Sequence, residues 1–363
     1  MRNTEAVDEA RRMLVICNAC RYCEGYCAVF PAVERRRAFT NADVGYIANL
    51  CHDCRGCYYA CQYAPPHEFA LNLPQALSRV RAQTYAEYVW PKPFARLFER
   101  SGTIVSLAVA AGIALVLVLA THLQSSAILY RPHRGPGSFY AVIPETVMIT
   151  AGLITFGFAV LALAIGWRNF WRQSGSSSVA GARSLLQAAG DILTLRNLGG
   201  SGHGCNNRDE SFSQSRRYFH QALFYGFLLC FASTASAAFE EHILGRIPPF
   251  PLVSVPVLLG TAGGLGMLLG SAALVWIKGK SDPAPAAKAL LGGDYALLGL
   301  LFLSGATGLL LLALRETGLM GILLSLHLGV IFSFFLVMPY SKFVHGVYRS
   351  ASLLRNATEH ETS

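Results

Sequence analysis

Six apolar stretches occupy the last three-quarters of this 363-residue chain, at about 102 to 123, 141 to 166, 218 to 240, 252 to 277, 292 to 314 and 319 to 345. Each can cross a hydrocarbon layer of about 30 Å as a helix, for which about 20 residues suffice. Inside lipid the backbone amides and carbonyls must be bonded within their own segment, so runs of this length dictate helices and an all-α fold. With 53% hydrophobic and only 14% charged residues, the composition is that of a membrane protein. An even number of spans returns the chain to its starting side. Basic residues set the orientation: Arg168, Arg172, Arg183, Arg196, Arg208, Arg216 and Arg217 crowd the loop after the second stretch, and Lys278, Lys280 and Lys288 follow the fourth. The loop from 124 to 140 has only Arg131 and Arg134. The positive-inside rule therefore puts both termini in the cytoplasm. The net charge of +9 reflects this bias and anionic headgroups, and nothing in it calls for a nucleic-acid partner.

Ahead of the spans, one cysteine pattern, C-x2-C-x2-C-x3-C, occurs twice: Cys17, Cys20, Cys23, Cys27, then Cys51, Cys54, Cys57, Cys61. These are eight of the ten cysteines. The spacing is that of two-cluster bacterial ferredoxins, where three thiolates of a run hold one cubane and the fourth reaches across to the other. It predicts two [4Fe–4S] clusters with crossed ligand sets, Cys17, Cys20, Cys23 and Cys61 for the first, Cys51, Cys54, Cys57 and Cys27 for the second. Neither run has proline directly after its last cysteine; Pro31 and Pro65 each come four residues on. Structural zinc is the competing reading, but it prefers two C-x2-C pairs across a longer spacer. Disulfides are disfavoured because residues 1 to 16 are charged rather than a secretory leader, which places this domain in a reducing compartment.

Ionisable side chains within spans are functional candidates, and here histidine supplies them. His220 opens the third stretch, whereas His327 and His345 lie on the sixth. Taken as one helix, the latter two stand about 27 Å apart on one face and belong to opposite halves of the bilayer. The third and sixth stretches run in opposite directions, so His220 and His345 fall at the same cytoplasmic depth, as axial ligands of a b-type haem would. An interfacial role beside Lys342 and Arg349 is the plainer reading of His345. For His327 three readings stay open: a second haem, although its counterpart ten residues after His220 is Cys230, a quinone site, or a hydrogen bond in helix packing. Glu145, Glu240 and Glu241 are candidates for proton uptake. Glycines 260, 263, 264, 266 and 270 fall inside the fourth stretch and suit close helix packing. No dinucleotide fingerprint, P-loop or nucleophile elbow is present, so a flavin or substrate-oxidising centre must come from a partner.

The double cysteine run, the six spans, the GGSGHGCN segment leading into RRYFH, and the closing MPYSKFVHGVYR together resemble the B protein of tricarballylate and citrate utilisation and the homologous C-terminal half of a fused flavoprotein of cobalamin synthesis. The resemblance covers nearly the whole chain. It implies a multi-pass protein of the bacterial cytoplasmic membrane that takes electrons from a separate FAD-dependent dehydrogenase, through two [4Fe–4S] clusters and haem b, to membrane quinone. The bundle is also similar to the haem b anchors of nitrate and heterodisulfide reductases, whose four ligands this chain matches at His220, His327 and His345, with Cys230 in the fourth place. The expected organisation is a two-cluster ferredoxin-like domain at 1–92, an interfacial strap and two spans at 93–167, a Gly/Ser-rich cytoplasmic loop at 168–217, and four spans with a short tail at 218–363. Two other functions compete, a membrane-bound iron–sulfur redox sensor or assembly factor and a heterodisulfide-type reductase.

Overall fold

A computed structural model describes residues 4–174 and 180–361, and every regular element among them is helical. The first five helices form a layer at one end of the molecule: α1 (Glu5–Cys20), α2 (Val29–Glu34), α3 (Asn41–Leu50), α4 (Gly56–Tyr59) and α5 (Leu73–Tyr88). Local chemistry sets their starts. Thr4 caps α1, Asn72 caps α5, and Thr40 with Asp43 forms a reciprocal capping box on α3. Val7, Leu14, Val33, Ile47, Leu77 and Val80 interlock beneath them as a dry core.

The bundle follows. Its long helices are α6 (Ser101–Leu123), α8 (Glu145–Gln173), α10 (Ser215–His242), α11 (Val255–Lys280), α12 (Leu291–Leu314) and α13 (Met320–Val337), with the short α7 (Ser126–Leu129) after α6. The six long helices are apolar and long enough to cross a membrane. Between helices this apolar, close backbone approach and satisfied hydroxyls supply cohesion. Gly226 of α10 and Gly263, Gly266 and Gly270 of α11 form one such seam, while Gly264 turns toward Leu309 of α12. The hydroxyls of Ser271, Ser304 and Ser333 donate to carbonyls one turn back, leaving no bare polar group in the apolar interior at those sites.

Three parts of the organisation differ from the expectation. The sixth stretch is not one helix to residue 345: α13 ends at Val337, residues 338–340 form a 3-10 turn, and a separate helix, α14 (Val344–Glu361), follows. Pro339 supplies no N–H and its ring blocks the preceding turn, so the helix breaks there. Hence His327 and His345 do not share a helix face. Nor are the last residues a short tail. Leu353 of α14 enters the core of the first layer, and Arg355 and Glu359 join Arg36 and Asp43 in a four-membered ion network at 2.6 to 3.2 Å around the Tyr46 ring. Finally, the segment at 168–217 is largely structured. α8 runs on to Gln173 because Phe170 is buried against Tyr88 and Tyr348, and an amphipathic helix, α9 (Ala182–Thr194), packs on α14.

Candidate functional site

Two sulfur-lined hollows open in the first layer. α1 presents Cys17 and Cys20 on its last turn, then Arg21 adopts a left-handed conformation (φ 55°) that ends the helix and returns the chain toward Cys23. Those three, with Cys57 and Cys61, line the first hollow. The second is lined by Cys27, Cys51, Cys54 and Cys57. Here α3 stops at Cys51, and Asp53 and Arg55, at φ 55° and 68°, bend the chain tightly enough to aim Cys54 and Cys57 inward. Cys57 borders both, so the hollows adjoin.

Burial and the neighbouring thiols Cys23, Cys61 and Cys20 push the Cys17 thiol up to about 12, and burial with Cys61 and Cys20 does the same to Cys23. In the second hollow, burial drives Cys27 and Cys57 upward, helped by Cys54 and Cys51 in each case. Sulfurs packed this closely against one another hold protons until a cationic centre displaces them. Among the described residues no three His, Cys, Asp or Glu side chains are drawn tightly enough around a point to hold one metal ion. A single zinc, with Zn–S bonds of about 2.3 Å, would bring its four sulfurs to within roughly 4 Å of each other. Hollows lined by four or five cysteines instead offer the donor set of a cubane cluster.

The glycine-rich segment after α9 lies over the second hollow. Asn206 N–H donates to the Cys54 carbonyl at 3.0 Å, Asn197 contributes to the lining, and a Cβ at Gly200 would sit 4.0 Å from Cys54 Sγ. Gly204 (φ +117°) is required where this segment turns, since a side chain there would strike the Ser213 backbone at 2.5 Å. Cys205, buried, donates its thiol to the Leu198 carbonyl at 3.1 Å and helps close the cover.

Below the second hollow the structure brings His220 and His345 together, with ring centres 6.2 Å apart and planes at 75°. Two imidazoles bound to one metal through bonds of about 2 Å place their ring centres roughly 6 Å apart. His345 Nδ1 donates to the Lys342 carbonyl at 2.6 Å, so Nε2 is the nitrogen left free for a ligand. Burial, reinforced by Arg349 and His220, holds the His345 imidazole well below its usual range and therefore neutral, the form that coordinates. His220 Nδ1 is buried without a hydrogen-bond partner. The pair thus offers two imidazoles that could hold a haem iron. Asp294 at the start of α12 pairs with Lys278 at 2.7 Å and with Lys342 at 2.9 Å, which fixes the residue whose carbonyl orients His345.

Each histidine is also one turn from an arginine that reaches the second cysteine loop. Arg216 donates to the Asp53 carbonyl at 2.6 Å and the His52 carbonyl at 3.3 Å, and Arg349 to the Cys51 carbonyl at 2.9 Å. In the sequence Arg216 serves only as a topology signal and Arg349 only as an interfacial neighbour of His345. Their spacing of four from each histidine was the available clue.

Other candidates lie elsewhere. His327 Nδ1 pairs with Thr307 Oγ1 at 2.9 Å and its ring packs on Gly308, so it faces α12, whereas Cys230 packs on Gly263 of α11. They are not drawn together as a ligand pair. Glu240 is held by Arg246 at 3.4 Å and Glu241 accepts from Tyr140, at the other end of α10, about 30 Å from His220 along the axis.

Comparison with known proteins agrees with this division. Residues 98–363 match the family model described as citrate utilization protein B, and residues 10–87 match its Fer4-like domain. The citrate utilization protein B of Escherichia coli is 45% identical over 359 residues, covering 98% of this chain and 93% of that protein. No solved structure matches. The chain therefore belongs to the citrate utilization protein B family, with a Fer4-like domain joined to six apolar helices.

Proposed function

We propose that this protein is a membrane electron-transfer subunit that re-oxidises a separate FAD-dependent dehydrogenase of the tricarballylate- or citrate-utilisation type and delivers the electrons to membrane quinone. The observation that carries the reading is the shared tether: the same two helices that offer His220 and His345 also grip, through Arg216 and Arg349, the carbonyls of Cys51, His52 and Asp53. A sulfur-lined site and an imidazole pair are thereby held in register by one set of hydrogen bonds. When bound, two [4Fe–4S] clusters and haem b supply one-electron carriers between a two-electron flavin and a two-electron quinone.

The residues of the chain have distinct parts in this. Cys17, Cys20, Cys23 and Cys61 would hold the first cluster, and Cys51, Cys54, Cys57 and Cys27 the second. His220 and His345 would be the haem ligands, oriented by the Lys342 carbonyl. His327 keeps its hydrogen bond to Thr307 and serves packing. Asn206 and the cover around Gly200 exclude water from the second hollow, and the exposed Tyr22 beside Cys20 and Cys23 leaves the first hollow on the side a soluble donor can reach. Basic residues flanking the spans support a cytoplasmic side for this layer. The test is to mix purified protein, in detergent under anaerobic conditions, with an FAD-dependent dehydrogenase of the tricarballylate- or citrate-utilisation type and that enzyme's substrate. Haem absorption should shift to the reduced form and revert on adding a short-chain quinone. Absence of reduction although the flavoprotein turns over with an artificial acceptor would refute the reading.

A further inference from the structure

Three guanidiniums converge on the second cysteine loop from three parts of the chain. Arg81 of α5 donates to the Cys51 carbonyl and to Ser78 Oγ, Arg349 of α14 to the same Cys51 carbonyl and to that of Asn49, and Arg216 of α10 to the carbonyls of Asp53 and His52. Every one of these acceptors is neutral. The neighbouring carboxylates are engaged elsewhere, Asp53 with Arg55 at 3.9 Å and Asp294 with Lys278 and Lys342. None of the three arginines has an ion pair among the described residues, although Arg81 is only 5% exposed and Arg216 and Arg349 are half-buried.

Buried cations without a counter-charge are costly, and a protein retains them where an anion belongs. A four-thiolate iron–sulfur cluster is such an anion, and it gains a further negative charge on reduction. Nearby fixed positive charge stabilises that reduced form and raises the potential. Among the described residues the first hollow has no equivalent. The charged neighbours of Cys17 and Cys23 are other cysteines, whereas Arg81 and Arg349 flank Cys51 against the single carboxylate of Asp53. Arg21 and Arg12, on the first hollow's side, are exposed, and Arg12 is neutralised by Glu9 at 2.7 Å.

We infer that Arg81, Arg216 and Arg349 are positioning residues that raise the reduction potential of the cluster held by Cys27, Cys51, Cys54 and Cys57 above that of its partner. This rests on the two-cluster reading above and adds a direction to it, since a single added electron then resides on the side nearer the histidines. It also assigns the trio a role separate from haem ligation.

The experiment is an anaerobic redox titration of the full-length protein, followed by electron paramagnetic resonance, for the wild type, Arg349→Gln, Arg349→Lys and Arg216→Gln. Two one-electron steps are expected in the wild type. Each glutamine variant should move the higher step to lower potential and leave the lower step in place, while Arg349→Lys, which keeps the charge, should stay near the wild type. An unmoved higher step in both glutamine variants would overturn the inference. So would equal shifts in Arg349→Lys and Arg349→Gln, which mark the guanidinium geometry rather than its charge, or complete loss of the second signal in both glutamine variants, which marks a scaffold. Absence of any cluster signal in the wild type would instead defeat the reading of the cysteines themselves.

Discussion

The seam between α10 and α11 gives the most quantitative expectation. A methyl added at Gly263 would lie 2.7 Å from both the backbone nitrogen and Sγ of Cys230 and 2.8 Å from the Gly226 carbonyl oxygen. Ordinary contact begins at 3.4 Å, so the shortfall is 3.4 − 2.7 = 0.7 Å, and two of the three atoms are backbone that cannot swing aside. The helices must part, and overpacking of this kind costs about 1–3 kcal/mol. Replacing a mid-helix glycine also brings a gain of about 1 kcal/mol in helix propensity, which would mask part of the cost. Gly299 of α12 removes that ambiguity: it too is mid-helix, but nothing lies within 4 Å of its Cβ position. Gly263→Ala should therefore be less stable than Gly299→Ala by about 1–3 kcal/mol, the packing difference alone. Equilibrium unfolding by sodium dodecyl sulfate in mixed micelles, followed by tryptophan fluorescence and near-ultraviolet dichroism, measures the difference. Equal stabilities for the two variants would refute the close-packed seam.

Other expectations follow from single contacts. Asp294→Asn strands the half-buried Lys278 and Lys342 and should cost about 1–3 kcal/mol, the usual effect of leaving a desolvated polar group without its partner, with a fall in haem content because Lys342 orients His345; unchanged thermal stability would contradict it. His345→Ala should abolish the haem bands while leaving the cluster resonance intact, and retained haem would mean the ligands are misassigned. Cys54→Ser should remove one of two cluster signals and halt quinone reduction, so normal flux would contradict an essential second cluster. At Asp43, burial raises the carboxyl but hydrogen bonds from Arg36 and Thr40 outweigh it, leaving the folded group below its ordinary value. Its contribution is then complete above the unfolded value of about 3.9 and is lost as pH falls through the lowered folded value. The stability gap between wild type and Asp43→Asn should be flat near neutrality and shrink only in strong acid; a gap that shrinks between pH 7 and 5 would contradict this.

Much of this architecture could be read in advance, for identifiable reasons. Long apolar helices announce themselves by an unbroken hydrophobic run, and the six begin and end within a few residues of their sequence limits except at the second and sixth. At the sixth, Pro339 was visible, but a proline alone does not say whether a helix kinks or stops. The answer depended on Tyr340, whose hydroxyl reaches the Trp90 carbonyl at 3.2 Å, and on Tyr348 packing with Tyr85, contacts far apart in sequence. Residues 344–361 carry ordinary amphipathic character, and nothing local revealed that Leu353 completes the core under Tyr46. Cysteine spacing placed the sulfur-bearing loops because a compact cofactor demands short loops. It could not indicate what covers Cys54: Asn206 arrives from 152 residues away (206 − 54). His220 and His345 could be paired by depth alone, but Cys230 and His327 could not, since depth says nothing about which neighbour a helix face meets.

The central claim is most directly tested by the composition of the purified full-length protein. Iron, acid-labile sulfide and zinc should be quantified together with haem by the pyridine haemochrome method. About eight cluster irons with matching sulfide, one haem b and negligible zinc are expected for two cubanes and one bis-histidine site. One or two zinc ions per chain with no sulfide and no haem would contradict the account.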